Sequence, residues 1–172
     1  MIKGILFLGI FICSTYLGFS LGESFIKRYT HLRALEKSLV LMQNQILYVY
    51  TPLPEVFEFI TEKVEGIWKE FFKHISELLT NNFTDDVYGA FKDSINKYKD
   101  KLYLKNEDLD LIIDFSKSLG ESGTYGQEQI FNLTLSNLKN HIEEARELKE
   151  KNCKMYRYLG ACLGAVVIIF LI

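Results

Sequence analysis

The chain has 172 residues, with 20 basic and 22 acidic side chains, three cysteines and two prolines. This near-neutral balance gives no support to a nucleic-acid-binding surface, and three cysteines do not make a disulfide framework. The scarcity of proline favours long helices over sheets.

The first predicted element is a membrane-spanning helix over residues 4–22. No charged side chain lies between Lys3 and Glu23. A helix of about 19 residues is about 28 Å long, which is close to the ~30 Å hydrocarbon thickness of a bilayer. A cleaved signal peptide is the alternative, but its apolar run is usually only about 7–15 residues long. No Ala-x-Ala cleavage site follows the stretch in this chain.

Residues 158–172 form a second apolar stretch without charged side chains. Its helical length of about 22 Å is short for a span, but Lys154 and Arg157 can extend it by snorkelling to the interface. We predict a second transmembrane helix, with a re-entrant or core helix as the alternative. Residues 23–157 then form one polar domain between two spans.

The orientation of this domain follows from lysine and arginine residues near the predicted spans. The outer flanks offer only Lys3. Because positively charged flanks stay in the cytoplasm, we predict a cytoplasmic domain, with both termini on the other side of the membrane. The inner flanks carry Lys27, Arg28, Arg33, Lys37, Arg146, Lys149, Lys151, Lys154 and Arg157.

Apolar residues from Phe25 to Val49 recur every three or four positions, which predicts one helix that continues from the first span. We interpret this stripe as the core of a helical bundle, with a partner-binding coiled coil as the alternative. Pro52 disfavours helical backbone at Thr51 and ends the helix. Pro52 also suits the first turn of a second helix, with Thr51 as its cap and Glu55 near its positive end.

Turn residues divide the middle of the chain into further helices. The second helix is predicted to end near Gly66, the third at Asn81 and Asn82, and Thr84 is predicted to cap the fourth. Residues 100–106 are a predicted loop.

Asn106 is predicted to cap the fifth helix, and Gly120 to end it as a left-handed cap. After a loop over residues 121–126, the last helix is predicted to begin near Gln127 and to continue into the second span. The predicted fold class is therefore all-α, a cytoplasmic bundle of about six helices between N- and C-terminal transmembrane helices. The last helix is expected to bury Ile130, Leu133, Leu138, Ile142, Ala145 and Leu148.

No catalytic, cofactor or metal site is predicted. His31, His74 and His141 lie far apart in the sequence without metal-ligand neighbours, and His31 and His74 are expected on solvated faces. The sequence contains no Walker phosphate loop, Gly-x-Ser-x-Gly elbow or Cys-x-x-Cys pair. Carboxylates beside Thr84 and Asn106 are interpreted as helix-start charges. We therefore expect neither an enzyme nor a small-molecule substrate.

Small residues recur at four-residue spacing in both predicted spans. Such faces let helix backbones approach closely in lipid, and they could join the two spans to each other or to another protein. The alternative is that glycine is simply common in membrane helices. The predicted packing residues are Ser14, Gly18 and Gly22 in the first span and Gly160 and Gly164 in the second.

The chain resembles the stage III sporulation protein AB family of endospore-forming bacteria over nearly its whole length. Three motifs between or beside the two terminal spans carry this resemblance. They are Thr51-Pro52-Leu53-Pro54-Glu55, then Leu119-Gly120-x-Ser122 followed by Gln127, and the exit Lys154-Met155-Tyr156-Arg157-x-Leu159-Gly160 followed by Gly164. The family has an acidic residue after the serine, where this chain has Gly123.

The resemblance implies a platform component of the channel that links mother cell and forespore, in the mother-cell-derived membrane around the forespore. Its helical domain is similar to the cytoplasmic domains of the type II secretion platform protein, which docks a hexameric ATPase. The implied partners are the cytoplasmic sporulation ATPase, other membrane proteins of the same operon, and membrane lipid. The motif residues Thr51, Pro52, Pro54, Glu55, Gly120, Ser122 and Gln127 are candidate interaction residues.

Two other classes of function stay open at this point. A passive membrane tether or adaptor would need the spans and the bundle but no motor, whereas a membrane enzyme would need a catalytic constellation that the sequence does not offer. For the loop between Gly120 and Gly126, a plain turn between helices is the alternative to a contact site.

A topology experiment tests the predicted membrane arrangement. A reporter inserted within residues 60–140 should be active in the cytoplasm, because the basic flanks face that side. The protein should also stay in the membrane pellet after carbonate washing. An extracytoplasmic reporter signal, or release by carbonate, would contradict the two-span arrangement.

Overall fold

A computed structural model describes the backbone of residues 2–81, 83–84, 86–121 and 124–171. It describes the side chains of residues 22–81, 83–84, 86–120, 126–152 and 155. Over these residues the chain forms six helices and no strand, which confirms the predicted all-α class. The helices are α1 (Ile2–Leu47), α2 (Leu53–Lys63), α3 (Ile67–Thr80), α4 (Val87–Leu102), α5 (Asn106–Glu121) and α6 (Thr124–Leu171).

The chain divides into two compact units. The first, here called the helix pair, comprises residues 1–29 and 143–172, and the second, the compact bundle, comprises residues 30–142. Within the helix pair, the buried guanidinium of Arg28 contacts the Glu144 carboxylate at 3.1 Å. The Lys149 ammonium lies 4.2 Å from the centroid of the Tyr29 ring. These two contacts join α1 to α6.

The predicted membrane spans fall almost entirely outside the described side chains. Residues 4–21 and 158–172 belong to that undescribed part, and Gly22 is buried. None of the helices, judged on the residues that the structure describes, is both long and apolar enough to cross a bilayer. The two spans therefore stay a prediction.

Aromatic rings form the centre of the compact bundle. The ring centroids of Phe57 on α2 and Phe91 on α4 are 5.6 Å apart. Phe91 lies 6.4 Å from Phe115 on α5, which in turn lies 5.2 Å from Phe131 on α6. Ring pairs at these distances add stabilisation to the burial of large apolar area. Trp68, Phe71 and Phe72 of α3 are buried beside this column of rings.

Several predicted helix ends are wrong. Helix α4 starts behind Asp86, whose carboxylate accepts a hydrogen bond from the Gly89 backbone N–H at 2.7 Å, so Asp86 and not Thr84 is the cap. The same helix continues to Leu102 through the predicted loop, because Leu102 is fully buried. Helix α6 begins at Thr124 rather than near Gln127.

In the first turns of α6, the residues that face the core differ from the predicted ones. Phe131 is fully buried and Thr134 is 7% exposed, whereas Leu133, expected inside, is 65% exposed. Ile130 is half-buried. The predicted register is recovered further along, where Leu138, Ile142 and Ala145 are buried as expected.

Two alanine variants test this register. Phe131→Ala should lower the free energy of unfolding by about 3–5 kcal/mol, because it removes a fully buried ring and leaves a cavity. Leu133→Ala should change it by less than about 0.5 kcal/mol, because an exposed side chain loses few contacts. Urea unfolding of the full chain in detergent, followed by circular dichroism, measures both. Equal losses for the two variants would contradict the register.

His74 is half-buried rather than solvated, which corrects the prediction. Its Nδ1 atom lies 2.9 Å from the hydroxyl oxygen of buried Ser94. His31 is also half-buried. Burial, and then the positive charge of Lys97, lower the pKa of His74 below its usual 6.5, although Asp93 and Glu77 oppose the shift. The fold thus favours the neutral imidazole.

This lowered pKa makes part of the stability depend on pH. Because the unfolded chain binds the His74 proton more readily, the contribution is fully present above about pH 6.5 and is lost as pH falls toward the folded-state pKa. Urea midpoints between pH 7.5 and 5.5 should therefore fall less steeply for His74→Gln than for the unchanged chain. Parallel slopes would show that His74 carries no such coupling.

Candidate interaction surface

One end of the compact bundle gathers three connections between helices. Here α1, α3 and α5 end while α2, α4 and α6 begin, and we call it the loop end. The Ser76 hydroxyl near the end of α3 donates to the Pro54 carbonyl at the start of α2, at 3.3 Å. A Cβ atom built on Gly120 would lie 3.8 Å from the Val87 Cβ, so the end of α5 is close to the start of α4.

The opposite end, here called the exit end, holds the turns between α2 and α3 and between α4 and α5. The Trp68 indole N–H donates to the His31 carbonyl at 3.1 Å. The His141 Nδ1 atom lies 2.7 Å from the Asp108 carboxylate, which is fully buried in the first turn of α5. Because His31 and His141 adjoin residues 30 and 142, the chain enters and leaves the bundle at this end.

The segment Thr51-Pro52-Leu53-Pro54-Glu55 lies at the loop end. Pro52 precedes α2 with extended backbone and makes no side-chain cap. The Thr51 hydroxyl donates to the Gln45 side-chain carbonyl at 3.0 Å, so the predicted cap by Thr51 is wrong. Pro52 and Glu55 are exposed, and Pro54 is half-buried. The exposed members of the motif therefore face outward from this end.

The second predicted group reaches the same end only in part. Gly120 is exposed and lies within the last turn of α5, so it is not the predicted left-handed cap. Gln127 is half-buried in the first turn of α6, three residues after the observed helix start at Thr124. Ser122 lies outside the described residues. Of the predicted span-packing residues, Gly22 is buried, while Ser14, Gly18, Gly160 and Gly164 lie outside the described side chains.

Exposed aromatic side chains mark the loop end, and the sequence reading missed them. Tyr48 is 72% exposed, Tyr50 73% and Phe83 75%. Val49, expected in the buried stripe, is 61% exposed, because α1 already ends at Leu47. We call Tyr48, Val49, Tyr50 and Phe83 the exposed patch. The first three lie in the connection from α1 to α2 and Phe83 lies in the connection from α3 to α4, both at the loop end. Large exposed apolar side chains are typical of interaction sites.

The backbone at Tyr50 turns the chain sharply. Its φ of 60° lies in the left-handed region, which costs a non-glycine residue roughly 1–2 kcal/mol. Backbone hydrogen bonds on both sides hold this turn, from Tyr48 to Asn44 at 3.1 Å and from Thr51 to Gln45 at 3.0 Å. The exposed tyrosines are thus presented by a fixed turn.

The described residues contain no group of histidine, cysteine and carboxylate side chains that could hold a metal ion. The pair of buried Asp108 and half-buried His141 stabilises the start of α5, because the Asp108 carboxylate also accepts a hydrogen bond from the Lys105 backbone N–H at 2.9 Å. What the loop end offers is apolar and polar contact area, which fits binding of a macromolecule.

Comparisons with known proteins agree on one family. The family model of stage III sporulation protein AB matches residues 3–172. The stage III sporulation protein AB of Bacillus subtilis (strain 168) is 26% identical over 162 residues, which cover 94% of each chain.

A solved structure of a stage III sporulation protein AB is similar with a TM-score of 0.67 and 23% sequence identity. The match covers 73% of this chain and 98% of that chain, and at this identity it shows the shared fold. Together with the family match over nearly the whole sequence, these findings identify the chain as a member of the stage III sporulation protein AB family of sporulation proteins.

Proposed function

We propose that this sporulation protein is a non-enzymatic membrane platform of the channel complex between mother cell and forespore, and that its loop end docks a secretion-type ATPase. The observation that carries the proposal is the exposed patch at the loop end. The chain enters and leaves the bundle at the exit end, so the loop end is the end of the bundle that carries no connection to the predicted spans.

The lengths of α1 and α6 support a mechanical role for the platform. Helix α1 contains 46 residues and α6 contains 48, and each joins a predicted span to the compact bundle without a break in the helix. In this proposal the bundle lies in the cytoplasm at the mother-cell side of the outer forespore membrane. The other membrane proteins of the same operon would then contact the spans, where the small residues permit close packing.

The recruitment of the ATPase tests the docking proposal. Tyr48→Ser combined with Tyr50→Asn removes two exposed rings, and asparagine tolerates the left-handed backbone at position 50. This variant should reduce membrane recruitment of the fluorescently labelled ATPase about tenfold in sporulating cells, because a few aromatic side chains carry most of the binding energy of an interface.

The matched control is Tyr103→Asn at the exit end. Tyr103 is also exposed, at 44%, and also has a positive φ, of 53°. It should leave recruitment of the ATPase unchanged. If both variants recruit the ATPase normally, the loop end is not its docking site. If the unchanged protein recruits no ATPase at all, the platform proposal fails and a passive tether remains.

A further inference from the structure

The turn between α4 and α5 concentrates positive charge at the exit end. Residues 97–105, here called the lysine turn, contain four lysines and one aspartate, and the remaining parts of residues 30–142 contain no nine-residue segment with more than two basic side chains. Lys97, Lys99, Lys101 and Lys105 are all exposed. Residues 30–142 as a whole carry more acidic than basic side chains, so the lysine turn is a basic patch on an acidic bundle.

The helix macrodipoles account for only part of this charge. Lys99 and Lys101 lie in the last turn of α4, where a cation is favoured. Lys105 comes directly before Asn106 at the start of α5, where a cation is disfavoured. Lys97 and Lys101 are also like charges at a spacing of four residues, which destabilises a helix. Helix stability therefore does not explain the whole patch.

Tyr103 lies in the middle of the lysine turn and is exposed. Its φ of 53° is in the left-handed region, and its side chain is 44% exposed although the preceding Leu102 is fully buried. An amphipathic tyrosine ring beside cations is typical of the layer where a protein contacts the headgroups of a bilayer. This ring is a second feature of the turn, independent of the charge, that fits a lipid surface.

The lysine turn lies beside both points at which the chain enters and leaves the bundle. The ring centroid of Tyr103 is 6.2 Å from that of His31 on α1, and Asp108, close behind the turn, contacts His141 on α6. Along α1, His31 follows the end of the predicted first span by about nine residues, or ~14 Å of helix. The headgroup layer covers about 5–7 Å of such a distance, and long lysine side chains extend toward it.

From this charge and this position we infer that the lysine turn binds the anionic headgroups of the membrane that holds the predicted spans. Each lysine near an anionic surface adds attraction, and the Tyr103 ring would lie in the headgroup layer. The contact would fix the exit end at the membrane surface and leave the loop end accessible for docking. This inference rests on the membrane placement in the proposed function and not on the docking of the ATPase.

Photo-crosslinking of the full chain in reconstituted vesicles tests the inference. A p-benzoylphenylalanine residue in place of Tyr103 should form lipid adducts in vesicles of phosphatidylcholine with phosphatidylglycerol. In phosphatidylcholine alone the yield should be about fivefold lower, because lysine side chains are attracted to an anionic surface. The same probe in place of Phe83, which is also exposed and aromatic but lies at the loop end, should form few adducts. Mass spectrometry of the crosslinked peptides measures the yields.

Matched charge variants identify the side chains responsible. Lys99→Gln with Lys101→Gln should lower the adduct yield at position 103 about fivefold in the anionic vesicles. Lys92→Gln with Lys117→Gln removes the same charge from exposed positions nearer the loop end and should not lower it. Equal yields at the two probe positions, equal yields in the two kinds of vesicle, or an unchanged yield in the first variant would overturn the inference.

The membrane placement is measured separately in the same vesicles by carbonate washing. Release of the chain would contradict the predicted spans and this inference with them. If the chain is retained and the unchanged protein recruits the ATPase in sporulating cells, but the adduct at position 103 does not depend on anionic lipid, the proposed function stands and this inference alone falls.

Discussion

The compact bundle depends on aromatic contact between helices that are too short to be stable alone. Helices α2 to α5 contain between 11 and 16 residues, a length at which an isolated helix is marginal in water. Phe57, Phe91, Phe115 and Phe131 each come from a different helix, and each ring lies within 6.4 Å of the next. This column fixes the helices in relation to one another. The positions of the connections at the loop end therefore depend on how the helices pack in the aromatic core.

The all-helical class could be predicted because the apolar stripes of α1, α3 and α4 have one clear period. The first turns of α6 could not, since Ile130, Phe131, Leu133 and Leu135 offer apolar side chains on more than one face. In the structure, the buried face is the one that carries Phe131, and it also contains Thr134. A pattern of apolar residues does not predict that a threonine lies on the buried face, because threonine is polar. The half-burial of His74 could not be predicted from the sequence either, because its partner Ser94 comes from another helix.

Helix ends were harder to predict than helices, because a cap acts only where the first turn begins. Thr84 and Asp86 are both good capping residues by type. The buried side chain of Val87 sets the start of α4, which leaves Asp86 in the capping position. Burial likewise extends α4 to Leu102. The break between α1 and α2 at Thr51 and Pro52 was nevertheless predicted, since proline restricts its own backbone and that of the residue before it, whereas Pro54 and Glu55 lie in the first turn of α2.

The backbone conformation and exposure of Tyr50 bear on the docking proposed for the loop end. Glycine would adopt a φ of 60° without strain, so the backbone alone does not account for a tyrosine at this position. The ring does not account for it through the core either, because the residue is 73% exposed. Two hydrogen bonds from Thr51 to Gln45, one from the backbone N–H and one from the hydroxyl, stabilise the turn and offset part of the strain. A fixed turn loses little conformational entropy on association, and an aromatic ring offers large contact area with few rotatable bonds. The exposure of Tyr50 and the hydrogen bonds around its turn are thus the features on which the proposed docking at the loop end depends.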